Sequence, residues 1–275
     1  MGTSRLHPST HTFAANAVCA EVEYRVLAPE DLTAGEHLPL VLHLHGAMSS
    51  SAALDLAEPF YQELYADGAF PRAVIACPST PTLGGFYLDH PGGPDWERLV
   101  AAEFPAHLAE TIGPFSTTAV LGASMGGFGA LELAFADPAR YAAVAAISPA
   151  IFPGETPESV PERNIPSVLG DLHRAMGAGT DPTGYRGNSV YGRARDHAGE
   201  LRAERLPILV DCGAADEFLL HDGARYLHDV LDELGVDHVF RLVEGAGHVD
   251  ALAEERTREA IRFLGTSLQR NPRLP

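Results

Sequence analysis

Gly122-Ala123-Ser124-Met125-Gly126 places a serine between two glycines, after the apolar run 118–121 and before the small-residue run 126–135. A strand, a sharp turn and a helix in that order push a hydroxyl out of the backbone bend. The same turn sets it at a helix N-terminus, where unpaired N–H groups favour developing negative charge. A serine hydroxyl is a poor nucleophile near neutral pH, so this chemistry needs a neighbouring base, and the base needs an acid to orient it. Asp216 follows the apolar run 208–212, and His248 follows the run 238–243 through a Glu-Gly-Ala-Gly stretch. Both sit where an open parallel sheet gathers its active-site loops, past the C-terminal ends of strands. His248 is expected to take the proton of Ser124 and Asp216 to hold the imidazole, with Asp211, Glu217 and Asp222 as rival acids. Asp216 also suits a helix N-cap.

The elements that would carry these residues are legible as an alternation of short apolar runs and longer amphipathic segments, the pattern of a mostly parallel α/β sheet. Strands are expected at 22–27, 38–44, 73–77, 118–121, 141–147, 208–212 and 238–243. Helices are expected at 96–112, bent or interrupted by Pro105, and at 126–135, 221–234 and 249–268. Residues 78–94 are rich in Gly and Pro and read as a loop. The stretch 152–199 is too long for a plain connection and reads as a small cap or lid inserted in a single domain spanning 1–275.

Backbone N–H groups to hold an oxyanion are expected from Met125, the residue after the nucleophile, and from Ala47 in His45-Gly46-Ala47-Met48-Ser49 after the strand at 38–44. Tyr87, Asp89 and Trp96 are candidate substrate-binding residues. The specificity pocket is expected from the 78–94 loop and the 152–199 insert. His43 and His45 stand two apart in a strand, but no third ligand accompanies them, so no metal and no cofactor is expected.

The 275 residues are 45% hydrophobic and 20% charged, ordinary for a globular chain with a sizeable core. All 19 basic residues are arginine, which excludes lysine Schiff-base and phosphate-loop chemistry. A formal net charge of −18 argues against nucleic acids and anionic membranes as partners. Cys19, Cys77 and Cys212 are odd in number and widely spaced, against a disulfide framework. No apolar run has membrane-spanning length and no secretory h-region opens the chain, so a cytoplasmic protein is the expectation.

Four segments resemble the esterase D and S-formylglutathione hydrolase branch of the α/β-hydrolase superfamily, which also holds feruloyl esterases and mycolyltransferases. They are His45-Gly46-Ala47, Gly85-Phe86-Tyr87-Leu88-Asp89 ahead of Trp96, Ser124 to Leu131, and Asp211 to Leu219. The resemblance implies an α/β-hydrolase fold, a Ser124–Asp216–His248 triad, an Ala47–Met125 oxyanion hole, a small ester or thioester substrate and a homodimer. Ser49 stands where the formylglutathione enzymes carry a cysteine, which points to a general carboxylic ester hydrolase. An acyltransferase of mycolyltransferase type and a thioesterase would use the same residues, and a non-catalytic hydrolase-like binding protein is the third class. Asp-nucleophile dehalogenases and epoxide hydrolases are excluded by Ser124.

Overall fold

The structure, a computed structural model, describes residues 5–83 and 85–270. Eight strands form one sheet: β1 (Leu6–Ala15), β2 (Ala20–Pro29), β3 (Leu38–Leu44), β4 (Val74–Pro78), β5 (Phe115–Ala123), β6 (Tyr141–Ile147), β7 (Ile208–Gly213) and β8 (Val239–Val243). Their spatial order is β1-β2-β4-β3-β5-β6-β7-β8. The first two strands run antiparallel, β1 to β2 and β2 to β4, and every pairing from β4 to β8 is parallel. The central strands β4 and β6 are buried along their whole length, as near-continuous apolar runs must be when helices cover both faces.

Side chains alternate between two cores. Leu38, Leu40, Leu42 and Leu44 of β3 enter one apolar cluster, and Val41 enters the other. On the second face lie α1 (Ala53–Ala66) and, at the far end of the chain, α10 (Ala253–Arg270). On the first lie α2 (Trp96–Arg98) and α3 (Phe104–Thr111), joined by a π-helical turn at Leu99–Glu103, then α4 (Met125–Ala136) and α9 (Leu220–Glu233). The wide turn stands just before Pro105, so the interruption expected there takes the form of a π-bulge, a common way for a helix to absorb such a break.

The 152–199 stretch carries its own structure. Two single 3-10 turns lead into α5 (Val168–Ala175), α6 (Pro182–Gly187) and α7 (Val190–Asp196), and α8 (Ala198–Glu204) returns the chain to β7. Helix α7 lies against α4 and α9. Tyr191 on α7 donates to the Phe152 and Gly223 carbonyls, and Arg193 pairs with Glu132 of α4 and Glu97 of α2.

Two elements go beyond the sequence expectation. β1 is an edge strand whose segment LHPSTHTFAA is half polar, with Pro8 tolerated at the edge. α1 contains Pro59, a breaker signal, yet buries Leu54, Ala57, Tyr61 and Leu64 at helical spacing. Among the described residues no helix is long and apolar enough to cross a membrane.

Candidate active site

Ser124 stands between β5 and α4 with φ +57° and ψ −118°, a strained conformation for a residue bearing a Cβ. The bend is held from both sides. The Ser124 N–H donates to the Ile147 carbonyl at 2.9 Å, and its own carbonyl accepts from Phe128 and Ala150. The flanking glycines are required by contact. A Cβ on Gly126 would stand 2.0 Å from the Leu44 carbonyl oxygen, and one on Gly122 would stand 2.0 Å from that of Gly126. The first turn of α4 is thus pressed onto the end of β3, and the hydroxyl has one way to face, out past the strand ends.

His248 arrives on the loop after β8. Its Nε2 lies 3.1 Å from Ser124 Oγ, and its Nδ1 lies 2.8 Å from Asp216 Oδ2. Asp216 accepts from the Phe218 N–H at 2.9 Å through its other oxygen. Burial alone would raise the Asp216 carboxyl, but the hydrogen bond and charge of His248 and the N–H groups of Phe218 and Leu220 outweigh it, so it stays below the usual carboxylate range. An ionised Asp216 accepts only, so Nδ1 carries the proton and Nε2 is left to accept from the serine hydroxyl. The Asp216 side chain is fully buried and that of His248 is 12% exposed, the one sealed and the other open to a ligand.

The histidine loop is positioned by a set of contacts that the sequence did not single out. The His248 N–H donates to Glu217 Oε2 at 2.9 Å, and the Phe218 ring meets the imidazole edge-on with centroids 4.9 Å apart. Gly213, at the end of β7, admits the loop: a Cβ there would stand 2.3 Å from the Ala246 carbonyl oxygen and 2.5 Å from that of Gly247. Beneath the loop lies a buried ion pair, Arg256 Nε to Asp211 Oδ1 at 2.5 Å, with the two side chains 2% and 1% exposed. The same guanidinium donates to the Gly247 carbonyl at 3.1 Å and to Ser148 Oγ at 2.8 Å. Asp211, a rival acid in the sequence, is spent on Arg256. Glu217 holds the backbone of His248, and Asp222 pairs with Arg163 and Asn164.

Ser124 and His248 open onto a cavity of about 700 Å³, within the range of small-molecule sites. Gly46, Ala47 and Met48, on the loop after β3, line it. A Cβ on Gly46 would lie 3.5 Å from the Ser124 Cβ, so this loop runs directly beside the serine. Met125 is the first residue of α4, whose N–H has no partner within the helix. The remaining walls depart from the sequence expectation. No described residue of 78–94 lines the cavity, and the 152–199 insert contributes Val168 and Leu169 alone. The principal walls are α1, through Ala53, Leu56, Ala57 and Phe60, and α10, through Ala253, Glu254, Arg256 and Thr257.

Tyr87, Asp89 and Trp96 do not line the cavity. Tyr87 is fully buried in the core, its hydroxyl donating to the His45 carbonyl at 3.0 Å and its ring filling the space against Gly129. Trp96 is buried in the same cluster. Asp89 is exposed and accepts from the N–H of Arg98, the last residue of α2. An aromatic run beside a Gly-rich turn is equally what a loop needs to pack itself, and here packing takes Phe86, Tyr87, Leu88 and Trp96.

His43 and His45 share no ligand position. His43 Nδ1 meets the Tyr61 hydroxyl at 3.2 Å on the α1 side, and burial pushes its pKa down to about 4. Past the strand end the chain turns, and His45 donates from Nδ1 to the Gly46 carbonyl and accepts at Nε2 from the Thr80 N–H. Elsewhere, His228, Asp232 and His238 bring ligand atoms within 4.8 Å of one another at the N-terminal end of β8, opposite the Ser124 end of the sheet. There the two rings bond each other at 2.8 Å.

The Esterase family model matches residues 15–234, most of the chain. The chain belongs to the Esterase family. As a member it is a serine esterase, a carboxylic ester hydrolase. It is 27% identical to an S-formylglutathione hydrolase of Paracoccus denitrificans, covering 90% of this chain and 89% of that one. Among solved structures it is similar to a ferulic acid esterase, with a TM-score of 0.78, 21% identity and coverage of 96% and 99%. It is also similar to an S-formylglutathione hydrolase from Agrobacterium tumefaciens, with a TM-score of 0.77, 19% identity and 96% of each chain covered. These likenesses establish the α/β-hydrolase fold; the geometry above belongs to this chain.

Proposed function

We propose that this esterase hydrolyses small-molecule carboxylic esters through an acyl-enzyme on Ser124, with His248 as general base and acid and Asp216 as the group that orients it. The observation that carries the reading is the 3.1 Å and 2.8 Å chain of hydrogen bonds from Ser124 through His248 to Asp216, built on a serine with φ +57°. As Ser124 Oγ attacks the carbonyl carbon, its proton moves to His248 Nε2, and the imidazolium that forms is stabilised by the Asp216 carboxylate. The carbonyl oxygen becomes an oxyanion, for which the N–H groups of Ala47 and Met125 are the proposed donors. Collapse breaks the bond to the alkoxide, which leaves with the proton from Nε2. Water then repeats the sequence, giving its proton to Nε2, attacking the acyl carbon and releasing the acid with Ser124 restored.

Ser124→Ala tests this with p-nitrophenyl acetate and with a fluorophosphonate probe that forms a covalent bond to activated serines. Turnover is expected to fall at least 10⁴-fold, and labelling to vanish, with the thermal midpoint unchanged. Turnover near the wild-type rate in a folded Ser124→Ala protein would remove the nucleophile from the proposal.

A further inference from the structure

We infer that the acyl group this esterase prefers is an uncharged aliphatic chain of about six carbons or more, housed between α1 and α10, rather than a formyl group carried on an anionic thiol. The inference rests on the Ser124 reading above and extends it to the substrate. Its first support is the side of the serine on which the cavity is built. Ser124 follows directly on β5; His248 reaches it from the β6–β8 side of the sheet, whereas α1 follows β3 on the other side. A leaving group must depart toward His248 Nε2, which protonates it. The wall of His43, Ala53, Ala57, Phe60 and Leu121 therefore faces the portion of the substrate that stays attached to Ser124, the acyl chain.

The second support is the chemistry of the walls. Apart from Ser124, His248, His43, Ser148, Thr257 and two charged residues, the cavity is lined by Gly46 and by aliphatic and aromatic side chains. Its charged lining residues are Glu254 and Arg256, and Arg256 is already engaged by Asp211, Ser148 and the Gly247 carbonyl. The buried imidazole of His43, held down to about 4, is neutral at physiological pH. Among the described residues no lining cation is left for the carboxylates of a glutathione moiety, and the net charge of −18 opposes its approach. At the mouth, Met48, Leu56 and Val249 stand 88%, 78% and 80% exposed, three large apolar side chains converging on one opening. Such a rim costs solubility unless it meets an apolar ligand.

The test is a p-nitrophenyl ester series from acetyl to decanoyl, with S-formylglutathione alongside. Burying one methylene corresponds to about fourfold in kcat/KM, so hexanoyl, four methylenes longer, is expected to exceed acetyl by roughly 250-fold. S-formylglutathione is expected to be no better than the acetyl ester. Ala53→Trp, at the half-buried start of α1, is expected to lower the octanoyl-to-acetyl ratio at least tenfold, with folding checked by its thermal midpoint and by fluorophosphonate labelling. A wild-type series that is flat or falls with chain length, with acetyl turnover still dependent on Ser124, would overturn the chain inference and leave the serine mechanism standing. A preference for S-formylglutathione would do the same. No turnover of any ester, with no labelling, would take the mechanism down as well. The wild-type series decides the matter even where Ala53→Trp fails to fold.

Discussion

Replacing Arg256 by leucine strands Asp211 in the core. Both side chains are almost fully excluded from water, and the guanidinium is bonded to Asp211, Ser148 and the Gly247 carbonyl at once. Removing one partner of a buried pair leaves an uncompensated charge, at a cost of about 3–5 kcal/mol. Arg241, 3.7 Å from the other oxygen and 37% exposed, offers a screened remnant of compensation and sets the lower end of that range. For a chain of this size the loss corresponds to a fall of roughly 10 °C in Tm. The pH signature is more telling. Burial already holds the Asp211 carboxyl above its ordinary value against the pull of Arg256, and deleting Arg256 removes the largest opposing influence. A carboxyl whose folded pKa lies above its unfolded one favours the native state at low pH and loses that contribution as pH rises through the window between the two. Arg256→Leu should therefore be closest to wild type near pH 4 and fall progressively behind it toward pH 7. Urea unfolding at several pH values measures this, and adding Asp211→Leu should recover most of the deficit at pH 7. A deficit below about 1 kcal/mol at pH 7, or one independent of pH, would refute the assignment of a desolvated charge pair. Because Gly247 precedes His248, kcat should fall in the single variant as well, with KM less affected.

Three further outcomes follow from particular contacts. Gly213→Ala pushes a methyl into the Ala246 and Gly247 carbonyls and so displaces the His248 loop; kcat/KM should fall roughly 100-fold, the effect of misplacing a catalytic group by about 1 Å, and steady-state kinetics on the folded protein would detect it. Tyr87→Phe removes a buried donor to the His45 carbonyl; stability should drop by about 1–2 kcal/mol in a denaturant titration with KM unchanged, whereas a raised KM would return Tyr87 to the substrate site. His43, with its folded pKa lowered to about 4 against 6.5 when unfolded, binds its proton later in the folded state as pH falls. It therefore destabilises the native state as pH drops from 6.5 toward 4, by about 3 kcal/mol across that window; the stability-versus-pH slope there should flatten in His43→Gln.

The elbow and its two partners were legible because local sequence dictates them. A serine between glycines, after an apolar run and ahead of small residues, has few conformations open to it, and an acid and a histidine just past later strands must meet it if the strands are parallel neighbours. The β3 and β6 boundaries coincide with the expected apolar runs for a similar reason: strands covered on both faces are apolar throughout. Edge strand β1 left no such mark, since one of its sides faces solvent and half of its residues are polar.

What tertiary structure alone decided is where the cavity beside Ser124 lies. α1 is hidden in the sequence by Pro59, and with it half the cavity wall; Tyr87 and Trp96 carry the right chemistry for a pocket but are consumed by the core. Residue type and spacing determine what a side chain can do near its own backbone. Which apolar side chains face a ligand and which face one another depends on how helices from residues 53 and 253 close over one sheet face, and no local pattern encodes that distance.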